Sequence, residues 1–412
     1  MNRLRFSVLL LAVTSSLFLF LLSEACTKAP AANVSAMALM SQSAPATFSE
    51  AALEAMVADY DRFFQDSMGL TETPGAAVVI VKDGQVIFQR GYGVKIAGGQ
   101  DSVDAHTVFR IGSLSKGFAG VLTGMLVQEG VLNWNEPVQN HYPEFTLSDR
   151  SQAQRMELRH LLSHTTGLPH HAYTHLIERG YDIRRIVRNH FPLTPLYGKE
   201  GEVFNYQNVA FSAIEEVIQG ATHKTYSELL DEKIFRPAGM ATASSDYKTM
   251  QRRSNKALPH LHTRQGWKAV PISPNYYNAV AAGGINASIT DMGEWLKLLL
   301  GYQPGIVADT TLDRVFQPLI NTDKGRPIFP QWIGPEEAFY AMGWRVLEHG
   351  GETYVYHGGY VNGFRGELAL NRRDGIAVCI LFNASTPLGR DCIPAFFERW
   401  EKHKYPGLAG KP

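Results

Sequence analysis

The segments with the strongest β-strand character lie at opposite ends of this chain, and their placement constrains the fold more than any other feature. In residues 75–93, GAAVVIVKDGQVIFQRGYG, two β-rich runs flank Asp83-Gly84, a dipeptide typical of hairpin turns. Near the other end, TYVYHGG, RGELALN and GIAVCILFNA indicate three more strands, the last two joined by a turn at 373–375. We therefore predict an antiparallel sheet that is built from both chain ends and flanked by helices.

The residues between these two sets of strands carry helical patterns. In VAFSAIEEVIQG (209–220), four apolar residues share one helical face: Ala210, Ile214, Val217 and Ile218. YSELLDEKIFRPAGM (226–240) predicts another helix, which its proline ends. DMGEWLKLLLGY (291–302) begins with Asp291 and Glu294 at the spacing of a capping box. An inserted helical region therefore separates the two parts of the sheet.

This arrangement defines an α/β plus α fold class. We predict one domain over 48–403, with an α/β part formed by 48–112 and 270–403 and a helical part formed by 113–269. Lys and Arg together number 39, as do Asp and Glu, so the chain has no net charge that favours nucleic acid. The expected partner is a small-molecule or peptide substrate, and the sequence leaves the oligomeric state open.

The amino-terminal residues have the pattern of an export signal. Arg3 and Arg5 precede an apolar run over 6–22, as in the basic and apolar regions of such signals. We predict a signal over 1–25, followed by a flexible tether rich in Ala, Ser and Pro over 26–47. The predicted location is the periplasm or the cell envelope.

Three fates of this segment remain open. The small residues Ser23 and Ala25 fit a cleavage site before Cys26, which favours simple release. The segment also resembles a bacterial lipoprotein signal, in which Cys26 would carry a lipid and attach the protein to a membrane. An uncleaved membrane anchor is the third alternative, because the apolar run is near the shortest length that spans a bilayer.

The sequence predicts neither a metal site nor a cofactor. His171 and His175 are spaced i, i+4 and follow His170, but no nearby carboxylate or thiol completes a ligand set. Cys379 lies in an apolar run and Cys392 follows an irregular segment. We expect two buried, unpaired thiols, with a disulfide as the alternative in an oxidising compartment.

FRIGSLSKG (109–117) leads into a helix that we predict from Ser113 to Gln128. An apolar stripe with i, i+3, i+4 spacing runs along it: Phe118, Val121, Leu122, Met125 and Leu126. Gly117, Gly120 and Gly124 lie on another side, at a cost of roughly 1 kcal/mol each relative to alanine. A buried helix with close neighbours tolerates that cost, so we expect this one to be packed on more than one side.

The spacing in this motif separates its two serines. Ser113 and Lys116 are three residues apart and share a helical face, whereas Ser115 points elsewhere. Ser113 also lies at the helix amino terminus, where free N–H groups favour a developing negative charge. A serine needs a neighbouring base to become a nucleophile, and a desolvated lysine is neutral enough to serve. Ser113 is the predicted nucleophile.

Five further motifs follow FRIGSLSKG in order: LRHLLSHTTGLP, GEVFNYQN, AAGGINASITDMGEWL, YAMGW and HGGYVNGF. Together the six resemble the serine β-lactamase and penicillin-binding-protein superfamily, specifically its class C-like branch. That branch includes class C β-lactamases, D,D-peptidases, D-aminopeptidases and related esterases. The resemblance covers about residues 74–383 and implies a β-lactamase/D,D-peptidase-like fold.

The resemblance also implies roles for individual residues. Ser113 matches the nucleophile and Lys116 its proton acceptor or partner, while Tyr206 and Asn208 match the family's Y-x-N element. A tyrosinate beside a lysine can share the work of a general base, so either Lys116 or Tyr206 remains a candidate for that role. His164, in LSHTTGLP, matches a position that we expect to be structural.

The triplet His357-Gly358-Gly359 matches the family's K-T-G element, with departures at its first two positions. The oxyanion hole is implied to use the backbone N–H groups of Ser113 and Tyr360. A cationic His357 facing a substrate carboxylate would favour acidic substrates at low pH. Histidine and glycine replace a lysine and a threonine that help to bind carboxylates, which argues against efficient β-lactam hydrolysis. In His357→Lys this pH dependence is expected to disappear, and adding Gly358→Thr is expected to raise β-lactam turnover further.

The sequence thus predicts an exported serine hydrolase that forms an acyl-enzyme with small amides or esters. D-amino-acid peptides of the cell wall are candidate substrates. A true class C β-lactamase is the alternative within the same class of enzyme. A non-catalytic, peptidoglycan-binding relative is the alternative from another class.

Overall fold

The computed structural model describes residues 49–322 and 337–404. The predicted export signal, the tether and Cys26 lie outside these ranges. The described residues form the strands β1 (Gly75–Lys82), β2 (Gln85–Gly93), β3 (Val108–Arg110), β4 (His260–Thr263), β5 (Gly266–Ala269), β6 (Asn286–Ser288), β7 (Ile320–Asn321), β8 (Glu337–Tyr340), β9 (Arg345–His349), β10 (Glu352–Val361), β11 (Phe364–Asn371) and β12 (Ile376–Phe382).

The main sheet joins both ends of the described chain. Its strand order is β2-β1-β12-β11-β10-β9-β8-β7, and every neighbouring pair is antiparallel. The junction between the two ends is the pair β1 and β12, in which Val79 lies opposite Cys379. The prediction of an α/β plus α fold with an antiparallel sheet from both ends is therefore confirmed.

Helices cover both faces of this sheet. They are α1 (Glu50–Leu70), α2 (Ser115–Gln128), α3 (Arg150–Arg155), α4 (Leu158–Leu162), α5 (Thr174–Glu178), α6 (Ile183–His190), α7 (Asn208–Thr222), α8 (Tyr226–Leu230), α9 (Tyr247–Arg252), α10 (Val280–Gly283), α11 (Ile289–Leu299), α12 (Asp309–Phe316) and α13 (Leu388–Lys404). A π-helical turn, Asp231–Phe235, continues α8. None of the helices in the described ranges has the length and apolar character needed to cross a membrane.

Two apolar cores result from this layering. On one face of the sheet, Tyr60 and Phe64 of α1 pack with Phe396 of α13 and with strand residues such as Phe382. On the other face, strand residues pack against the helical region, and α2 lies within that core. Burial of both sheet faces accounts for the uninterrupted apolar runs of β1 and β12.

Two details differ from the sequence analysis. The capping box of α11 is formed by Ser288 and Asp291, because the helix begins at Ile289, two residues before the predicted start at Asp291. The predicted box of Asp291 and Glu294 is therefore wrong. The segment predicted as helical also contains the short β4–β5 hairpin. Cys379 and Cys392 are both buried and free.

Candidate active site

A sharp turn presents Ser113 at the start of α2. Strand β3 pairs with β6 and leads into a 3₁₀ turn, Gly112–Leu114, that continues directly into the helix. Gly112 has φ of +54°, and a β-carbon there would lie 2.8 Å from the backbone nitrogen of Tyr360. Glycine is required here by both the backbone angle and the close approach of strand β10. The turn therefore brings the nucleophile candidate against the part of β10 that lies beyond its pairing with β9.

The structure brings Ser113, and not Ser115, next to Lys116. Lys116 Nζ lies 3.2 Å from Ser113 Oγ. Ser115 is buried, and its Oγ accepts a hydrogen bond from the backbone N–H of Ile285 at 3.2 Å. The two serines of the motif thus face different neighbours, one a lysine and the other a backbone amide.

Lys116 is completely buried among acceptors. Besides Ser113, Nζ donates to Asn208 Oδ1 and to the Ala282 carbonyl, both at 2.8 Å, and it lies 4.7 Å from the centre of the Tyr206 ring. Burial, followed by the positive charge of Arg345, holds the pKa of Lys116 well below its ordinary value. The buried lysine needed to activate a serine is therefore present.

The packing of α2 explains its three glycines. A β-carbon at Gly117 would collide with the indole of Trp344, and one at Gly120 with the Met342 carbonyl. A β-carbon at Gly124 would lie 2.7 Å from a Thr311 methyl group. The expectation that α2 is packed closely on the glycine side is confirmed. Trp344 belongs to this core.

Tyr206 and Asn208 come from the turn that begins α7. Asn208 Nδ2 donates to Tyr276 Oη at 3.3 Å, while its Oδ1 accepts from Lys116. Burial raises the pKa of Tyr206 to about 12, although a hydrogen bond with Ser113 and the charge of Arg345 both lower it. Tyr206 is therefore a neutral phenol at pH 7.

The oxyanion-hole candidates meet where β10 passes the nucleophile turn. A β-carbon at Gly359 would lie 3.0 Å from the backbone nitrogen of Ser113. Strand β10 pairs with β9 only as far as Tyr356, so the pocket runs along its continuation through Tyr360. Gly359 and Gly112 let the two backbones approach, and Ser113 and Tyr360 both line the cavity.

His357 differs from the expected substrate contact. Its side chain is 1% exposed; Nδ1 donates to the Gly358 carbonyl at 2.7 Å, and Nε2 lies 3.0 Å from Tyr340 Oη. Burial, then the charges of Arg345 and Lys116, hold the pKa of His357 well below its ordinary value. Both ring nitrogens already have partners, so the expected low-pH contact with a substrate carboxylate has no donor available on this ring.

The second departure, Gly358, also has a structural cause. A β-carbon at Gly358 would lie 2.5 Å from Tyr356 Oη and 2.9 Å from Glu367 Oε2. Those two side chains hydrogen-bond to each other at 2.7 Å, and Glu367 forms an ion pair with Arg365. A threonine would have to displace this cluster, so the expectation that adding Gly358→Thr to His357→Lys raises β-lactam turnover conflicts with the packing.

The cavity at Ser113 has a volume of about 650 Å³. Several lining residues were predicted, including Ser113, Tyr206, Asn208, His357, Gly359 and Tyr360. Arg345, Tyr276 and Glu178 also line the cavity and were not predicted from the sequence. Arg345 directly follows the motif YAMGW, and this position could have indicated that it lies at the site. Within the described residues, no group of three or more His, Cys, Asp or Glu side chains could hold a metal ion.

Comparisons with known proteins agree with this architecture. The Beta-lactamase family model matches residues 60–398. Protein flp of Staphylococcus aureus (strain N315) is 26% identical over 346 residues, which cover 82% of this chain and 64% of that protein. Unguisins hydrolase ungD' of Aspergillus campestris is 27% identical over 343 residues, which cover 79% of this chain and 61% of that protein. The chain thus spans less than two thirds of the length of these relatives.

One solved structure shares the fold. The octameric penicillin-binding protein homologue from Pyrococcus abyssi matches with a TM-score of 0.73 and 23% identity, over 83% of this chain and 77% of that one. The chain therefore belongs to the Beta-lactamase family, within the serine β-lactamase and penicillin-binding-protein superfamily, as its motifs predicted.

Proposed function

We propose that the protein is a serine hydrolase that forms an acyl-enzyme with small amides or esters. The observation that carries this proposal is the 3.2 Å contact between Ser113 Oγ and the completely buried Lys116 Nζ. Family membership supports it, as does the name of one relative, unguisins hydrolase. A cavity of about 650 Å³ has the size of small-molecule sites.

The partners of Lys116 favour it over Tyr206 as the general base. A neutral amine has two N–H donors and one lone pair. The amide oxygen of Asn208 and the carbonyl of Ala282 only accept hydrogen bonds, so they take the two donors. The lone pair then points at Ser113. Because the pKa of Tyr206 is raised to about 12, a tyrosinate is disfavoured at neutral pH.

The proposed reaction has two halves. As Ser113 Oγ attacks the substrate carbonyl, its proton moves to Lys116 Nζ, and the amides of Ser113 and Tyr360 stabilise the oxyanion. The bond to the leaving amine or alcohol then breaks, and the leaving group takes a proton delivered through Lys116 and Tyr206. Water attacks the resulting ester and releases the acid, which restores the Ser113 hydroxyl.

Arg345 supports substrates that carry an anionic group. Its guanidinium lies against the Tyr340 ring, 5.7 Å from the ring centre, and the residue lines the cavity. With His357 buried, the positive charge on this side of the cavity comes from Arg345. We propose peptides with a free carboxylate, including D-amino-acid peptides of the cell wall, as substrates. The absence of a threonine hydroxyl at Gly358 disfavours the alternative of a class C β-lactamase.

We also propose that the protein is exported to the periplasm or the cell envelope. The support is the sequence pattern of residues 1–25 and the position of Cys26. A lipid on Cys26 would attach the enzyme to a membrane, whereas signal cleavage alone would release it.

Covalent labelling tests the catalytic proposal. The full chain is treated with a fluorophosphonate probe, and the adduct is located by peptide mapping. We expect it on Ser113, lost in Ser113→Ala and retained in the matched control Ser115→Ala. An adduct on Ser115 would contradict the assignment, and no adduct at all would favour a non-catalytic relative. Rates with nitrocefin, p-nitrophenyl esters and D-alanyl amides then identify the substrate class.

A further inference from the structure

Three buried polar side chains form a row behind the catalytic residues. His164 Nε2 lies 3.2 Å from Tyr340 Oη, and Tyr340 Oη lies 3.0 Å from His357 Nε2. None of the three is more than 1% exposed. They come from the turn after α4, from β8 and from β10, so only the folded chain brings them together. We call this row the His–Tyr–His relay.

Both ends of the relay are hydrogen-bonded to the backbone, and these two bonds determine which ring nitrogens carry a proton. The N–H of Gln207 donates to His164 Nδ1 at 3.1 Å, because an amide nitrogen can only donate. At the other end, His357 Nδ1 lies 2.7 Å from the Gly358 carbonyl, which can only accept. His164 Nδ1 is therefore unprotonated, and His357 Nδ1 carries a proton.

The donors in the two hydrogen bonds of Tyr340 Oη follow from these end contacts. His164 must carry its proton on Nε2 and donate it to Tyr340 Oη. The Tyr340 O–H is then the donor to His357 Nε2, which must be unprotonated. A cationic His357 would place a second N–H against the same oxygen and leave the Tyr340 proton without an acceptor in the relay. Both histidines are thus neutral, in opposite tautomers.

The surroundings support the neutral state. Burial is the main cause that lowers the pKa of both histidines, and the positive charge of Arg345 lowers both further, although the hydrogen bond to the Gly358 carbonyl raises the pKa of His357. His171 adds to the effect on His164. The groups that face the relay therefore disfavour a further positive charge.

The relay connects two parts of the active site. Gln207 lies between Tyr206 and Asn208, and Gly358 lies two residues before Tyr360. The Gly358-Gly359 peptide is paired with β11, but it has no side chains of its own and lies beyond the pairing of β10 with β9. The His357 ring holds the Gly358 carbonyl at this point. Its hydrogen bond therefore helps to set the orientation of the following amides.

We propose that Tyr340 is a positioning residue that couples the Tyr206–Asn208 turn to the oxyanion strand through two neutral histidines. The kinetic part of this inference rests on the proposed acyl-enzyme function. Removal of the Tyr340 hydroxyl leaves His357 Nε2 without its donor and frees the ring to rotate or change tautomer. The Gly358 carbonyl then loses this hydrogen bond, although β10 stays paired with β11, and the Tyr360 amide is less well aimed at the oxyanion.

The test variant is Tyr340→Phe in the full chain, assayed with a p-nitrophenyl ester. Loss of one oxyanion donor lowers kcat by about 100- to 1,000-fold in well-studied hydrolases. A donor that is loosened but present is expected to cost less, about 10- to 100-fold in kcat, with KM changed less than about threefold. Because the oxyanion forms only in the transition state, the loss should appear in kcat.

The matched control is Tyr60→Phe. Tyr60 is also fully buried, and its hydroxyl donates to one acceptor, the Cys392 carbonyl at 3.1 Å, on the other face of the sheet. We expect Tyr60→Phe to lower the free energy of unfolding by about as much as Tyr340→Phe does. Its kcat should stay within about twofold of the wild-type value. Equal kcat losses in both variants would reduce Tyr340 to a structural role and overturn the proposal.

Nitrogen NMR of the histidine side chains reads the relay without any substrate. Wild-type protein at pH 7 should show His164 protonated on Nε2 and His357 on Nδ1, assigned by comparison with His164→Gln and His357→Gln. A doubly protonated His357, or the same tautomer in both rings, would overturn the proposal even if Tyr340→Phe fails to fold. If the wild-type protein neither hydrolyses esters nor reacts with the fluorophosphonate probe, the proposed acyl-enzyme function is contradicted. In that case the histidine tautomers measured by NMR are the test of the relay.

Discussion

Replacing Gly120 with alanine tests how closely α2 is held against the sheet. A β-carbon at Gly120 would fall well inside 3.0 Å of the Met342 carbonyl oxygen, a separation that real β-carbons essentially never show. The carbonyl oxygen belongs to the backbone and the position of the β-carbon is fixed by the backbone, so no side-chain rotation relieves the contact. The segment around Met342 is itself fixed, because its N–H donates to the Val315 carbonyl and that of Gly343 to Leu162. One of the two backbones must therefore move.

The expected free-energy change combines two opposing effects. Alanine is a better helix former than glycine by about 1 kcal/mol, which stabilises the variant. Overpacking a rigid core costs about 1–3 kcal/mol. A contact between a β-carbon and a backbone carbonyl oxygen belongs at the upper end of that range, because neither atom can rotate away. The net prediction is a loss of about 2 kcal/mol in the free energy of unfolding. Urea denaturation measures this loss as a lower midpoint with an unchanged slope.

The same substitution should also reduce activity. Gly120 lies one helical turn after Lys116, so a shift of α2 moves the lysine relative to Ser113. A misplacement of about 1 Å in a catalytic group costs about 100-fold in rate. We therefore expect kcat/KM of Gly120→Ala to fall by more than tenfold under conditions where the variant is fully folded.

Gly69→Ala is the matched control for this experiment. Gly69 also lies in a helix, α1, but a β-carbon there meets nothing within 4 Å. This variant should gain up to about 1 kcal/mol and keep its activity. The reasoning is refuted if Gly120→Ala is as stable and as active as the wild type, or if both variants change in the same direction.

Three further predictions address the site and the amino terminus. In Asn208→Asp, a carboxylate beside Lys116 Nζ favours the ammonium form and raises the pKa of the lysine. The acidic limb of the pH profile of kcat/KM should therefore move up by about 1 pH unit or more. An unchanged acidic limb would argue against Lys116 as the general base. Gly358→Thr should lower nitrocefin turnover, because the new side chain collides with Tyr356, and a measured gain would contradict the packing. Cys26→Ser should move the protein from the membrane fraction to the soluble fraction if Cys26 carries a lipid, whereas wild-type protein that is already soluble would indicate simple release.

The architecture could be predicted because its signals are local. Alternating and continuous apolar runs indicated the strands at both chain ends, and the glycine spacing of α2 indicated a closely packed helix. The capping box of α11 was predicted at the wrong residues because the helix begins at Ile289, directly after its cap Ser288, whereas the predicted helix began at Asp291. A cap depends on where the chain enters the helix, and the apolar period does not show that point.

The sequence by itself determined that Ser113 rather than Ser115 faces Lys116, since residues three apart on one helix share a face whatever surrounds it. The state of His357 was decided by the tertiary structure. Histidine near its ordinary pKa can be charged or neutral, and the choice here follows from burial, from Arg345 on β9 and from Tyr340 on β8. These neighbours meet His357 only through the pairing and packing of distant segments. Spacing along the chain was therefore enough to predict the pair of Ser113 and Lys116. The charge state of His357 could be predicted only from the tertiary structure.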